Sequence, residues 1–185
     1  MATIRPFMGI RPAPEYAKDV AALPYDVMNT EEAREMVKGN PYSFLHIDRA
    51  EIDLPVGTDP YSPAVYEKAR DTFYEQLDKG IFTQDLLPNL YIYRLTMDGR
   101  SQTGLVVCTA IDEYLNDTIK KHELTRADKE ADRIRHVDTL NANTGPIFLA
   151  YKENAEAKAI IDGYTAAVPP VYDFVSEDGI GHTVW

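Results

Sequence analysis

Six basic residues, four acids and two histidines crowd into residues 118–136, TIKKHELTRADKEADRIRH. This stretch sums to +2, while the rest of the chain carries −13 and the whole −11. On a helix, Arg126, Lys129, Arg133 and His136 stand at i, i+3, i+7 and i+10, which is one face. Asp128, Asp132 and Arg135 fall on another. The helix start near Thr125 offers free backbone N–H groups to an anion, and Lys120, Lys121, His122 and Glu123 arrive just before it. Arginine forks and a helix N-terminus bind oxyanions directly, so the pattern suits a small phosphorylated ligand. The same spacing also describes a solvated helix laced with ion pairs.

Asp26, in Pro24-Tyr25-Asp26-Val27, is a second candidate. A carboxylate between proline-defined bends serves as a base or ligand, or closes an Asx-turn. His46, in Ser43-Phe44-Leu45-His46, is a third, although a lone histidine on a strand is more often structural. Cys108 sits within LVVCTAI and reads as a buried structural thiol. The chain has no GxxxxGK[ST] phosphate loop, no GxGxxG, no GxSxG and no HExxH.

The elements that must position these groups follow from capping and periodicity. Asn29 or Thr30 caps a helix over 31–38, ended by Gly39 and Pro41. Ser62-Pro63 opens a helix over 63–79, with Val65, Tyr66, Ala69, Phe73 and Leu77 near one face. Asp98-Gly99 joins strands 90–97 and 101–111 in a hairpin with a type I′ turn. Thr125 caps a helix over 126–140, and Asn154 one over 155–162. A brief helix fits 15–21, and residues 43–48, 147–151, 171–175 and 182–185 read as strands. Helices and strands mix without regular alternation, so the fold class is α+β: a mixed sheet with flanking helices in a single domain over 1–185.

With 185 residues, 44% of them apolar, the chain is long enough for one independent core. A single cysteine excludes a disulfide framework. The acidity argues against nucleic-acid or anionic-membrane binding by bulk charge. There is no apolar run of roughly 18 residues and no signal-peptide pattern, so a cytoplasmic location is expected.

Several segments together resemble one family. They include Ile4-Arg5-Pro6-Phe7, Pro24-Tyr25-Asp26-Val27, Asn40-Pro41-Tyr42-Ser43-Phe44-Leu45-His46 and Asp53-Leu54-Pro55. Further along come Lys120–Arg126, Lys129-Glu130-x-Asp132-Arg133-Ile134-Arg135-His136 and Gly145-Pro146-Ile147-Phe148. On these residues the chain resembles the N-terminal part of the domain-of-unknown-function family DUF 1015, itself similar to the ParB/sulfiredoxin-like group that includes free-serine kinases. The resemblance implies phosphoryl transfer on serine or phosphoserine with ATP or ADP and Mg²⁺. It also implies that full members are about twice as long and carry Asp-Gly-His-His-Arg further on. That motif is absent here, where the only histidine after residue 136 is His182. The strand ending on Trp185 stops in mid-pattern, so the chain is expected to be the N-terminal portion of a longer protein.

Phosphoryl transfer needs cations at the phosphate oxygens and a carboxylate at the nucleophile. On that template Lys121, Arg126, Lys129, Arg133 and His136 are the phosphate-binding candidates, and Asp26, His122 and Glu123 the catalytic ones. No residues are assigned to a metal. The partner is a small phosphorylated metabolite or nucleotide. The alternative is a nucleotide- or phospho-metabolite-binding module without turnover.

Overall fold

The computed structural model describes residues 2–122 and 124–185. Its strands are β1 (Ile4–Arg5), β2 (Ile10–Pro12), β3 (Phe82–Gln84), β4 (Tyr91–Met97), β5 (Arg100–Val106), β6 (Cys108–Thr109), β7 (Tyr172–Val175) and β8 (Gly181–Val184). Its helices are α1 (Ala17–Val20), α2 (Thr30–Met36), α3 (Leu45–Asp48), α4 (Pro63–Asp78), α5 (Ile111–Leu115), α6 (Ala127–Leu140) and α7 (Ala155–Ala167). The fold class is α+β. The chain forms two compact units: residues 11–83 with 122–145, which are mainly helical, and residues 1–10, 84–121 and 146–185, which hold the main sheet.

The helical unit is built around α4 and α6. Ala69, Val65 and Phe73 of α4 meet Leu140 of α6, Ile47 of α3, Val20, Ala50, Ile81 and Phe82 in one buried cluster. Ile47, Ala69 and Leu140 are 0% exposed, and burying a side chain the size of Ile47 or Leu140 contributes about 1.5–3 kcal/mol. A smaller cluster joins Ala33 of α2, Leu45 of α3 and Ile52. Helix α2 starts with the expected Asn29 cap in a capping box: Glu32 N–H donates to Asn29 Oδ1 at 2.9 Å, and Asn29 N–H donates to Glu32 Oε2 at 2.8 Å. Helix α4 starts at Pro63 as expected, but Ser62 makes no side-chain cap bond.

Residues 43–48 are not a strand. Their apolar alternation arises because a single turn of helix sends Leu45 into the small cluster and Ile47 into the large one. This correction matters because it sets the direction of Asp48, the last residue of α3.

In the sheet unit the strand order is β5-β4-β8-β7, antiparallel throughout rather than mixed. Asp98 (φ 51°) and Gly99 (φ 76°) make the expected hairpin turn, since a type I′ turn requires positive φ at both positions. The second hairpin strand ends at Val106; Cys108–Thr109 pairs with β1 and Ile111 begins α5. Gly9 must be glycine: its N–H donates to Tyr91 Oη at 2.8 Å, and a Cβ would stand 2.5 Å from that oxygen. Residues 147–151, expected as a strand, form none; Ile147 and Phe148 are 74% and 79% exposed and pair with no strand among the described residues. Cys108 is exposed rather than buried, because β6 lies in a two-stranded ribbon and not in the main sheet.

Candidate functional site

Two faces meet in the helical unit. The last residue of α3, Asp48, and the inward face of α6, carrying Asp132, Arg133 and His136, enclose a cavity of about 60 Å³ together with Tyr25, Arg49, Glu51 and Lys129. A groove of about 470 Å³ runs beside it along α6, lined by Tyr25, Lys129, Arg133, Ile134, Val137 and Asp138 among others. Tyr25, Lys129 and Arg133 belong to both.

Arg133 is the hub. Its Nε and Nη2 donate to Asp132 Oδ2 at 3.0 and 2.9 Å, and its Nη1 stands 3.7 Å from Asp48 Oδ1. The guanidinium lies over the Tyr25 ring, 4.2 Å from its centroid. Tyr25 is held in turn by Arg49, whose Nη1 donates to the Tyr25 carbonyl at 3.3 Å. Arg49 pairs with buried Glu51 at 2.9 Å, so that carboxylate is compensated. Asp132 also accepts from Tyr66 Oη at 2.8 Å, across from α4. Burial and Asp132 push the Tyr66 phenol up to about 12, so it remains a donor.

His136 is 3% exposed. Its Nε2 lies 3.1 Å from the Ile47 carbonyl, which only accepts, so Nε2 carries the proton. Burial lowers its pKa, leaving a neutral ring with Nδ1 bare. Thr144 Oγ1 stands 3.3 Å from that Nδ1 and 3.2 Å from Asp48 Oδ1. Burial pushes the Asp48 carboxyl up to about 6, against the opposing pull of Arg133 and Thr144. A carboxyl pushed up to about 6 beside a cavity that also holds Arg133 and Lys129 is suited to general acid–base work.

The structure places three of the sequence candidates together: Lys129, Arg133 and His136 line the enclosed cavity. Lys129 Nζ reaches Tyr61 Oη at 3.2 Å and lies 5.8 Å from that ring's centroid. Arg126 is the N-cap of α6 and is paired outward with Asp128 at 2.6 Å. Asp128 is drawn below the usual carboxylate range by Arg126, with smaller help from the backbone N–H groups of Asp128 and Lys129. No side-chain hydrogen bond caps the start of α6, and Arg126, not the expected Thr125, is its N-cap residue. Asp26 is exposed and does not line the cavity; its neighbour Tyr25 does. Lys121 belongs to the sheet unit, with Nζ 4.4 Å from the Tyr114 ring centroid. His122 is exposed, and Glu123 lies outside the described residues.

His46 is structural. Its Nδ1 meets the Asp53 carboxylate at 2.9 Å and its Nε2 the Asn40 carbonyl at 3.1 Å. Both partners only accept, so the arrangement favours the imidazolium, and the hydrogen bond that Nδ1–H donates to Asp53 raises the pKa of the ring.

The residues that sequence reasoning missed are Asp48, Asp132, Thr144 and Tyr25. Asp132 and Tyr25 sit inside the recognised segments, and Thr144 directly precedes Gly145-Pro146. Asp48 gave no local signal. Among the described residues, no group of three or more His, Cys, Asp or Glu side chains could hold a metal ion.

A second histidine network lies in the sheet unit. Tyr93 Oη is 2.6 Å from His182 Nδ1, and His182 Nε2 is 2.9 Å from Ser176 Oγ. Ser176 Oγ is 2.5 Å from Asp178 Oδ1. The His182 ring stacks between Phe174 and Tyr93, at 5.0 and 6.0 Å between centroids. Burial keeps His182 neutral and Tyr93 protonated, and Ser176 holds Asp178 ionised. One arrangement satisfies every atom: Tyr93 donates to Nδ1, Nε2–H to Ser176, and Ser176 to Asp178. The serine proton points away from the histidine, opposite to a nucleophile–base pair.

No helix among the described residues is long and apolar enough to cross a membrane. No curated protein and no solved structure matches the chain. A family model does, over residues 4–185, nearly the whole sequence. The chain belongs to the family described as protein of unknown function (DUF1015).

Proposed function

We propose that the helical unit binds a small phosphorylated metabolite between Arg133, Lys129 and Asp48, and that Asp48 handles the proton in a phosphoryl transfer. The observation that carries this is the sharing of Arg133 and Lys129 by the enclosed cavity and the adjoining groove. A phosphoryl group held by those cations lies beside a carboxyl that titrates near 6. The cavity wall is balanced: Asp48, Glu51 and Asp132 against Arg49, Lys129 and Arg133. A balanced wall favours a ligand with both signs, and phosphoserine has them. Its phosphate would face Arg133 and Lys129, and its ammonium group Asp132. The groove is of a size to take the remaining body of a nucleotide. The resemblance to the ParB/sulfiredoxin-like group, with its free-serine kinases, supports the same substrate class and ATP or ADP as the second substrate. In the kinase direction the serine oxygen bonds to the γ-phosphorus, the bond to the nucleotide's bridging oxygen breaks, and Asp48 takes the hydroxyl proton.

One feature favours a second reading, a sensing module without turnover. Arg133 is already paired with Asp132, so a ligand anion must draw the guanidinium away and rearrange the site. Thermal-shift measurements with ATP, ADP, CTP, serine and phosphoserine, each with and without Mg²⁺, test both readings. Phosphoserine should raise the midpoint. Turnover followed by ³¹P NMR selects the enzyme; a shift without turnover selects the sensor; no shift with any ligand overturns both.

A further inference from the structure

We propose that Thr144 is a positioning residue that shares one proton between Asp48 and His136, so that the two titrate as a single unit. The inference deepens the reading of Asp48 as the proton-handling group. It rests on three positions. Thr144 Oγ1 lies 3.2 Å from Asp48 Oδ1 and 3.3 Å from His136 Nδ1. His136 Nε2 is committed to the Ile47 carbonyl at 3.1 Å. Asp48 and His136 themselves are too far apart for a direct bond, at 3.9 Å.

A threonine hydroxyl has one proton to donate and an oxygen that accepts. When Asp48 is ionised, the Thr144 proton points to Asp48 and Nδ1 has no donor. When Asp48 takes up a proton, its O–H donates to Thr144 Oγ1 and the threonine proton turns to Nδ1. A third state has the same proton count: Asp48 ionised, Thr144 donating to it, and Nδ1–H donating to Thr144. Moving between the last two states breaks and makes one O–H bond at Thr144 and shifts one proton from Nδ1 to Asp48. No other atom changes and no co-reactant is needed.

The other charged groups facing the pair set where that proton rests. Arg133 stands 3.7 Å from Asp48 and favours its ionised form, while Asp132 opposes it. Around His136, Arg133 opposes the imidazolium and Asp132 favours it. Arg49, Glu51 and Lys129 complete the cavity wall. Burial of both groups disfavours the doubly charged arrangement, so the shared proton rests on Asp48. Asp48 thus has a neutral acceptor behind it that responds when substrate adds or removes a proton.

NMR titration of the unliganded protein tests this without reference to substrate. The ¹³C carboxyl shift of Asp48 and the ¹⁵N shift of His136 Nδ1 should move with one common midpoint. Thr144→Val should abolish the Nδ1 response at that midpoint and raise the Asp48 midpoint, since the ionised carboxylate loses a donor. Thr144→Ser should restore both. Unlinked midpoints in the native protein, or an Nδ1 response that survives in Thr144→Val, would overturn the proposal. Because the native titration alone decides it, a poorly folding valine variant leaves the test intact. Coupled titration without phosphoserine binding would keep the proton relay and discard the functional reading.

Discussion

Each unit of the chain contains a half-buried or buried histidine linked through a hydroxyl to an aspartate, yet the two networks differ in kind. Around His182, the ring accepts from Tyr93 and donates to Ser176, the serine proton goes to Asp178 or the Ile180 carbonyl and not to the ring, and the ring is clamped by Phe174. Around His136, a single threonine proton faces two acceptors, burial pushes the aspartate up to about 6, and a cavity lined by charges of both signs opens alongside. A network whose ring nitrogens both keep their partners whichever way the hydroxyl turns serves the fold. A network with one proton too few has two arrangements, and a ligand can choose between them. A histidine within reach of a serine is therefore weaker evidence for chemistry than an unresolved proton beside a cavity.

The sharpest way to break this contrast is to remove each aspartate. Asp48→Asn should lower any turnover by about 10²–10⁴-fold, the usual contribution of a general acid or base, measured by ³¹P NMR. The same variant should stabilise the fold at alkaline pH. The folded pKa of Asp48 is raised, so its contribution is present at low pH and lost as pH rises through about 6. Replacing it removes that loss, on the order of 2–3 kcal/mol at pH 8 by chemical denaturation. Asp178→Asn should leave ligand binding and turnover unchanged.

Next in size is His182→Ala. It leaves the Tyr93 hydroxyl and the Ser176–Asp178 pair without their central partner, and should cost about 1–3 kcal/mol of stability with no change in phosphoserine affinity. A loss of affinity without a loss of stability would reverse the roles assigned to the two networks.

His46 gives a third kind of histidine, held charged between two acceptors. Its folded pKa is raised, so its stabilisation is fully present below the ordinary histidine pKa near 6.5 and is lost as pH rises through the folded value. His46→Gln should flatten the stability profile in that window, as followed by denaturant midpoints between pH 5 and 8. The smallest effect belongs to a cap far from either network: Asn29→Ala should cost about 1 kcal/mol.

Local signals in the sequence are enough for α2 through its Asn29 cap, for α4 and α6 through periodicity, and for the Asp98-Gly99 hairpin through its turn residues, whereas the expected cap bonds of Ser62 and Thr125 do not form. Local signals are also enough to group Lys129, Arg133 and His136, which one helix face brings together. Asp48 was hidden because its turn of helix mimics a strand: Leu45 and Ile47 serve two different clusters. By spacing Asp132 falls on another face of α6 than Arg133, yet Tyr66 on α4 draws it into the cavity wall. Thr144 and Tyr25 come from connecting segments whose placement is set by tertiary contacts, through His136 for one and Arg49 for the other. Asp26 was chosen for its charge, while the aromatic ring next to it is what reaches the site.

The central claim is that Arg133 and Lys129 hold a phosphorylated small molecule beside Asp48. Isothermal titration of phosphoserine into the native protein and into Arg133→Gln tests it most directly. The native protein should bind phosphoserine and the variant should bind it at least about tenfold more weakly, in line with a lost charge-assisted pair. Equal affinity in the two proteins, or no binding by the native one, would contradict it.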